Sequence, residues 1–451
     1  MFARSVIEYE KALIVETKES NPRNWAQIHN NLGMVFFEKA RRTRGTEGMV
    51  LLARSISAHE KALTVYSESD SPALWGRAQQ ALGAALHEQA ARKGWFERPL
   101  PLIKAIAAKR NALKILTDQS SKEAQAVLNK SLGVALVDLG TRTEGMPGSD
   151  MLKSAISAYE NALLYYTRDH LLDEWADTQY KLGVALTALA ERNSGKDVIQ
   201  NLDNAISRFE LIFATYPIEQ KPRASALTLN YLGRAFAAKG SRVGGREGIR
   251  LLDRSIASFE NALSVSANES NFGERATIEI NLGTALRLKG YLLRGNVKNS
   301  SFVASVAAYE KALLYIKQEE NPFEWARAQS GLGVALHYLA AEGKEPENSK
   351  LLVKAVAAYE NTLTFYSIDN FQGDWANSEM NLGIVLQSQG ESIGGKEGLE
   401  LVAKAVAAFE NAMLIFTPER SQEDHERLRQ YLANARAKGQ SLIVATGQSA
   451  K

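Results

Sequence analysis

A Leu-Gly pair returns every 50 residues along this chain of 451, without one insertion or deletion. It stands at Leu32-Gly33, Leu82-Gly83, Leu132-Gly133, Leu182-Gly183, Leu232-Gly233, Leu282-Gly283, Leu332-Gly333 and Leu382-Gly383, and at Leu432 the glycine gives way to Ala433. A fixed period of this length marks a stacked repeat array, in which each unit contacts only its neighbours and no single core limits the length. A chain this long would ordinarily suggest about three domains. The repeat predicts instead one all-α, right-handed superhelical solenoid of about 18 antiparallel helices over residues 1–438.

Within a copy, two helices alternate. Asn21-Pro22 offers a capping amide followed by proline in the first turn, and Ser71-Pro72 and Asn321-Pro322 repeat the signal. Trp25, Leu32 and Phe36, with the small residues Ala26 and Gly33, then recur at helical spacing and define a first helix to about residue 41. Gly45 and Gly48 break it. A second helix follows through Leu52, Ser55, Ile56, His59, Ala62 and Leu63. Small residues let helix axes approach closely while large ones fill the space beside them.

This pattern resembles the tetratricopeptide repeat, whose signature places Trp, Leu-Gly and an aromatic on one helix, and Ala, an aromatic and Ala on the next. Leu32-Gly33, Phe36, Ser55, His59 and Ala62 hold those places in the first copy; Leu182-Gly183, Leu186, Ala205, Phe209 and Ile212 hold them in the fourth. The usual repeat has about 34 residues, so this chain is similar to an extended, 50-residue type found in bacterial signalling proteins. The resemblance implies a protein or peptide partner bound on the concave side, against the first helices.

Little in the chain suggests chemistry. There are no cysteines, which removes disulfides, thiolate zinc sites and thiol nucleophiles. The six histidines show no pair at the spacing of two ligands on one helix face. Gly390 to Lys396 reads G-x4-G-K, but Glu397 follows where a phosphate-binding loop carries Ser or Thr, so the segment is read as a helix-to-helix turn. Glutamate at the same position of eight second helices, including Glu10, Glu60, Glu160, Glu260, Glu310, Glu360 and Glu410, forms a ladder of surface pairs and caps. No enzyme activity, metal or cofactor is expected. No apolar run approaches the ~20 residues of a membrane span, and no secretory signal opens the chain, so a cytoplasmic protein without a membrane partner is expected. A net charge of +3 argues against nucleic acid.

The expected partner face takes in Gln27, Asn30, Met34, Phe37 and Glu38 and their equivalents Gln80, His87, Glu88, Lys130, Asp138, Tyr180, Asn230, Arg234, Arg287, His337 and Tyr338. Glu38, Glu88 and Asp138 share one position in early copies, whereas Arg234 and Arg287 come later, which predicts an electrically polarised surface. Along the turn edge stand Arg42, Arg92, Arg142, Arg192 and Arg242, readable as a basic stripe or as cations at helix C-termini. Trp95 and Phe96 replace the usual glycine turn and are candidate edge contacts.

Phe2, Val6, Tyr9 and Leu13 form an apolar stripe on a half repeat whose partner helix is missing. They are expected to lie uncovered and to offer self-association, or a junction to an effector domain upstream. At the other end, Ser421 with Asp424 predicts a capping box, a polar capping helix over about 421–438 and a flexible tail over 439–451. The reading is a non-catalytic interaction scaffold; its alternatives are a sensor array of a larger signalling protein and nucleic-acid binding along the arginines.

Overall fold

The computed structural model of the chain describes residues 2–445 except 95–96, 116–121, 144, 194, 196, 216–220, 267–270, 294–295, 344–345 and 370. Among them are eighteen α-helices, and Thr167 and His170 form an isolated bridge in a turn. The fold is all-α, as the period predicts. The chain divides into two compact units, Met1–Thr215 and Tyr216–Lys451.

The first unit holds α1 (Phe2–Val15), α2 (Pro22–Arg42), α3 (Gly45–Leu63), α4 (Pro72–Arg92), α5 (Pro99–Ile115), α6 (Lys122–Arg142), α7 (Gly145–Leu163), α8 (Leu172–Arg192) and α9 (Asp197–Phe213). The second holds α10 (Pro222–Val243), α11 (Gly245–Val265), α12 (Phe272–Leu292), α13 (Asn296–Tyr315), α14 (Pro322–Glu342), α15 (Glu347–Leu363), α16 (Gln372–Ile393), α17 (Gly395–Met413) and α18 (Gln422–Ala445). Even-numbered helices carry the Leu-Gly pair or its Leu432-Ala433 successor and are called first helices below; odd-numbered ones are second helices.

Local chemistry sets the boundaries. The Asn21 side chain accepts a hydrogen bond from the Asn24 amide, and Pro22 occupies the first turn, where its missing N–H costs nothing. The G-x4-G-K segment is a helix-to-helix junction: residues 390–393 end α16, and Gly394 and Gly395, with φ of +69° and +61°, are the cap and first residue of α17. Those backbone angles favour glycine, which has no Cβ to clash.

The Leu-Gly beat has a single packing cause. A Cβ added at Gly133 would stand 2.5 Å from the Tyr159 ring, one at Gly183 2.6 Å from Phe209, and one at Gly383 2.7 Å from Phe409. The second helices α3, α7, α9, α11, α13, α15 and α17 thus each lay a ring on the bare backbone of the first helix before them. These rings are almost wholly buried, each worth about 1.5–3 kcal/mol of burial. Beside them Ser55, Ser255 and Ser305 donate to the carbonyl oxygens of Gly33, Gly233 and Gly283 at 2.7–2.8 Å. Elsewhere alanine fills that buried place, as at Ala105 and Ala155.

Both ends depart from expectation. Val6, Tyr9 and Leu13 of α1 pack against the cluster built by Leu32, Phe36 and Leu52, so the stripe expected to lie uncovered faces inward and is half-buried. The apolar residues that α1 leaves exposed are Ile7, Ile14 and Val15. Half of the capping box is present: Ser421 Oγ accepts from the Asp424 amide and donates to Asp424 Oδ2 at 2.7 Å, while the Ser421 amide donates to Thr417 O. α18, however, runs through the boundary at 438/439 to Ala445, because Leu442 and Ile443 supply half-buried apolar side chains. Among the described residues no helix is long and apolar enough to cross a membrane.

Candidate functional site

The arginine edge is part of the scaffold. Arg92 donates to the carbonyl oxygens of Thr43 and Ala40 at 2.9 Å, and Arg192 donates to those of Gly140, Thr141 and Thr143. The last carbonyls of a helix lack intrahelical partners and carry partial negative charge. Each of these arginines therefore closes the C-terminus of the preceding first helix, α2 or α6, and ties one repeat to the next. Arg142 is held by Asp138 at 2.7 Å with its side chain 9% exposed. Arg242 donates to Ala238 O in its own helix, and exposed Arg42 stacks over the Phe2 ring. A stripe of five outward-facing cations is not what these residues make. Trp95 and Phe96 lie outside the described residues.

The acidic side of the expected polarity is paired for the same reason. Glu88 pairs with Arg92 at 2.8 Å, Asp138 pairs with Arg142, and Glu38 pairs with Arg41 at 3.4 Å. The acidic position and the arginine edge, read separately in the sequence, are one row of i,i+4 pairs in the second and third copies. Their spacing was the signal that could have joined them.

Of the other face residues in the first unit, Gln27 and Met34 are exposed, Met34 at 53%. Half-buried Asn30 places Oδ1 3.0 Å from His59 Nδ1, and Phe37 lies under the Arg41 guanidinium. Burial holds the His59 imidazole down to about 4, so it stays neutral in the core. Gln80 is half-buried. Lys130 bridges Glu174 and Asp177 of α8, and Tyr180 packs its ring beside Phe209. In the second unit Asn230 is buried and accepts from the Asn281 side chain at 2.9 Å, a polar pair within the packing and no surface contact. Arg234 lies over the Tyr231 ring.

Three expected residues do come together, on α12 and α14. The Arg287 guanidinium donates to Tyr291 Oη at 2.8 Å, with Tyr309 close enough to act on its charge. Tyr309 Oη is also 2.9 Å from Thr284 Oγ1, which donates to Ile280 O. The Tyr291 ring meets Tyr338 edge-on at 4.6 Å, and Tyr338 stacks on Phe302 at 5.5 Å. His337 lies 5.6 Å from Tyr338, and burial lowers its basicity. Tyr338, 37% exposed, brings this cluster to the surface. The sequence named Arg287, His337 and Tyr338 but missed Tyr291 and Tyr309, which adjoin the guanidinium; Tyr309 read only as a packing residue.

A second missed group sits in the first unit. Lys109 occupies the place where α3, α7 and α9 bury His59, Tyr159 and Phe209, and it is 1% exposed. Its Nζ donates to Ser131 Oγ and, at 3.2 Å, to Ser131 O, and it lies 3.3 Å from His87 Nδ1. Burial pulls the lysine down to about 7; burial, then the lysine charge, hold His87 down to about 4. A break in the ring column at residue 109 was the legible signal.

No family model and no curated protein matches the chain. Among solved structures, 89% of it aligns with 54% of a Signal Transduction ATPase with Numerous Domains carrying a tetratricopeptide repeat sensor, from Pyrococcus horikoshii, at 12% identity and a TM-score of 0.41. The chain thus spans about half the length of that protein. It also aligns with yeast Tom70, over 99% of this chain and 96% of that one, at 12% identity and a TM-score of 0.31. For the tetratricopeptide repeat domain of P58(IPK) the shares are 94% and 99%, with 13% identity and a TM-score of 0.25. At these values the chain's own helix pairs, rather than the likeness, establish the fold.

Proposed function

We propose that the chain is a non-catalytic scaffold that holds a protein or peptide partner on the face of its first helices. The observation that carries this reading is the cluster at α12 and α14. Arg287, His337 and Tyr338 add a cation, a neutral imidazole and a half-open ring to helices whose packing is already met by the Leu-Gly and ring positions. Aromatic residues and arginine dominate binding energy at protein interfaces. The arginine edge contributes by fixing one repeat against the next, so that a face assembled from several helices keeps its geometry.

A photo-reactive amino acid placed at Tyr338 and, separately, at Val353 tests the face. Val353 is 53% exposed on the second helix α15. A protein cross-linked through position 338 but not through 353 is the expected result in native lysate. Equal yields from both positions, or products from 353 alone, would reject the first-helix face.

A further inference from the structure

We infer that Arg287 is the anchor for a glutamate side chain of the partner, an inference that rests on the proposed scaffold role. Arginine keeps its proton in proteins, so a guanidinium in the packing is a fixed positive charge. Among the described residues no carboxylate pairs with Arg287; its partners are the hydroxyl of Tyr291 and the Tyr291 ring, 5.3 Å from the guanidinium carbon. Its Nε is buried and donates to nothing. Arg92 and Arg142 by contrast each have an acid four residues earlier, where Arg287 has Gly283.

Burial of a charge without a counter-charge is costly, and one neutral hydroxyl with one ring face compensates it in part. The missing component is an anion of charge −1. The Nε edge of a guanidinium, with the neighbouring Nη, matches the two oxygens of a carboxylate in a bidentate pair. A phosphate dianion would leave excess negative charge among Tyr291, Phe302 and Tyr338, whereas one carboxylate neutralises the site. The cluster reaches the surface at Tyr338, whose ring packs against Tyr291, the residue that accepts from the guanidinium. A glutamate has the reach for this, and its methylenes would lie along the Tyr338 and Phe302 rings.

The test uses the labelled full-length chain on an array of short random peptides, each glutamate peptide printed beside its glutamine twin and a phosphoserine twin. Glutamate peptides should bind about tenfold more strongly than their glutamine twins, as expected for a charge-assisted bidentate pair. A diazirine beside the glutamate should cross-link to α12 or α14. Arg287→Met should erase the preference, and Arg287→Lys should retain a weaker one. The comparison of twins on the unaltered chain needs no variant to fold. Peptides bound equally with glutamate or glutamine would overturn the inference and leave the scaffold reading intact. Stronger binding of the phosphoserine twins, or cross-links elsewhere, would also overturn it. If no peptide of any class binds, the scaffold reading fails with it.

Discussion

The two units solve one packing problem in different ways. In the first unit His87, Lys109 and Ser131 meet; 200 residues later, at the same places in the repeat, Arg287, Tyr309 and Gly331 meet. The lysine replaces the ring, and its methylenes fill the space over Gly83, where an added Cβ would stand 2.9 Å from Lys109 Cγ. The tyrosine keeps the ring but reaches so far that a Cβ at Gly331 would stand 2.3 Å from it. Each unit buries a basic group, yet the outcomes differ chemically. Lysine can shed its proton, and burial brings it to about 7 to do so. Arginine cannot. The first unit therefore relieves its charge by titration, and the second is left with a charge that a ligand can answer.

The largest expected effect breaks the first half of this comparison. Between about pH 7 and 10.5 the unfolded chain carries a proton on Lys109 that the folded chain lacks. Stability therefore rises with pH across that window, and the full penalty, on the order of 4 kcal/mol, is felt below it. Lys109→Met keeps the methylenes and removes the titration. It should raise the urea midpoint most at pH 6, less at pH 8, and not at all above the unfolded lysine value. There the lost bonds to Ser131 should make the variant slightly the weaker, by about 1 kcal/mol. A gain independent of pH would show that Lys109 titrates alike in the folded and unfolded chain, and would overturn the account.

A second experiment asks whether each trio acts as a set. Gly331→Ala drives a Cβ into the Tyr309 ring and should cost about 2 kcal/mol, the scale of overpacking a core. Tyr309→Lys alone would set a second cation beside Arg287. The combined exchange Arg287→His, Tyr309→Lys and Gly331→Ser rebuilds the first unit's arrangement in the second. It should lose less stability than the sum of its single changes, by at least about 1 kcal/mol. Hydrogen exchange resolved over α12 to α14 is the measurement, because a repeat array opens in segments. Strict additivity would mean the three positions do not depend on one another.

Much of this fold was legible because repetition averages over accidents. Eight Leu-Gly pairs in register identify the helices, and the caps at Asn21 and Ser421 follow from local hydrogen bonding. The site was less legible, for a physical reason. Whether Arg92 faces solvent or the carbonyls of α2 depends on how one repeat meets the next, and no pattern within a copy contains that. Asn230 read as a surface residue for the same cause, since its partner Asn281 lies one repeat away. Beyond residue 438 the helix continues to Ala445, where Leu442 and Ile443 give α18 a face to bury. Lys109 stands apart: it breaks a column of rings, so the sequence alone marks it.

The smallest expected effect lies one turn from the same trio. Ser305 Oγ donates to Gly283 O at 2.7 Å in the second unit, while Ala105 holds that place in the first and is likewise wholly buried. A carbonyl inside a helix already accepts from the amide four residues on. The serine therefore supplies a second bond to an oxygen that is not left bare without it. Ser305→Ala should cost no more than about 1 kcal/mol. Ala105→Ser should gain less than that, because the new hydroxyl must fit beside Lys109 where the ring is missing. Paired urea titrations of the two substitutions measure the difference. A larger loss in the second unit would mean that this bond helps to hold α13 and Tyr309 against α12, and so helps to place Arg287. Equal and opposite changes would assign the serine to packing alone, and the difference between the units would then rest on the cation each one buries.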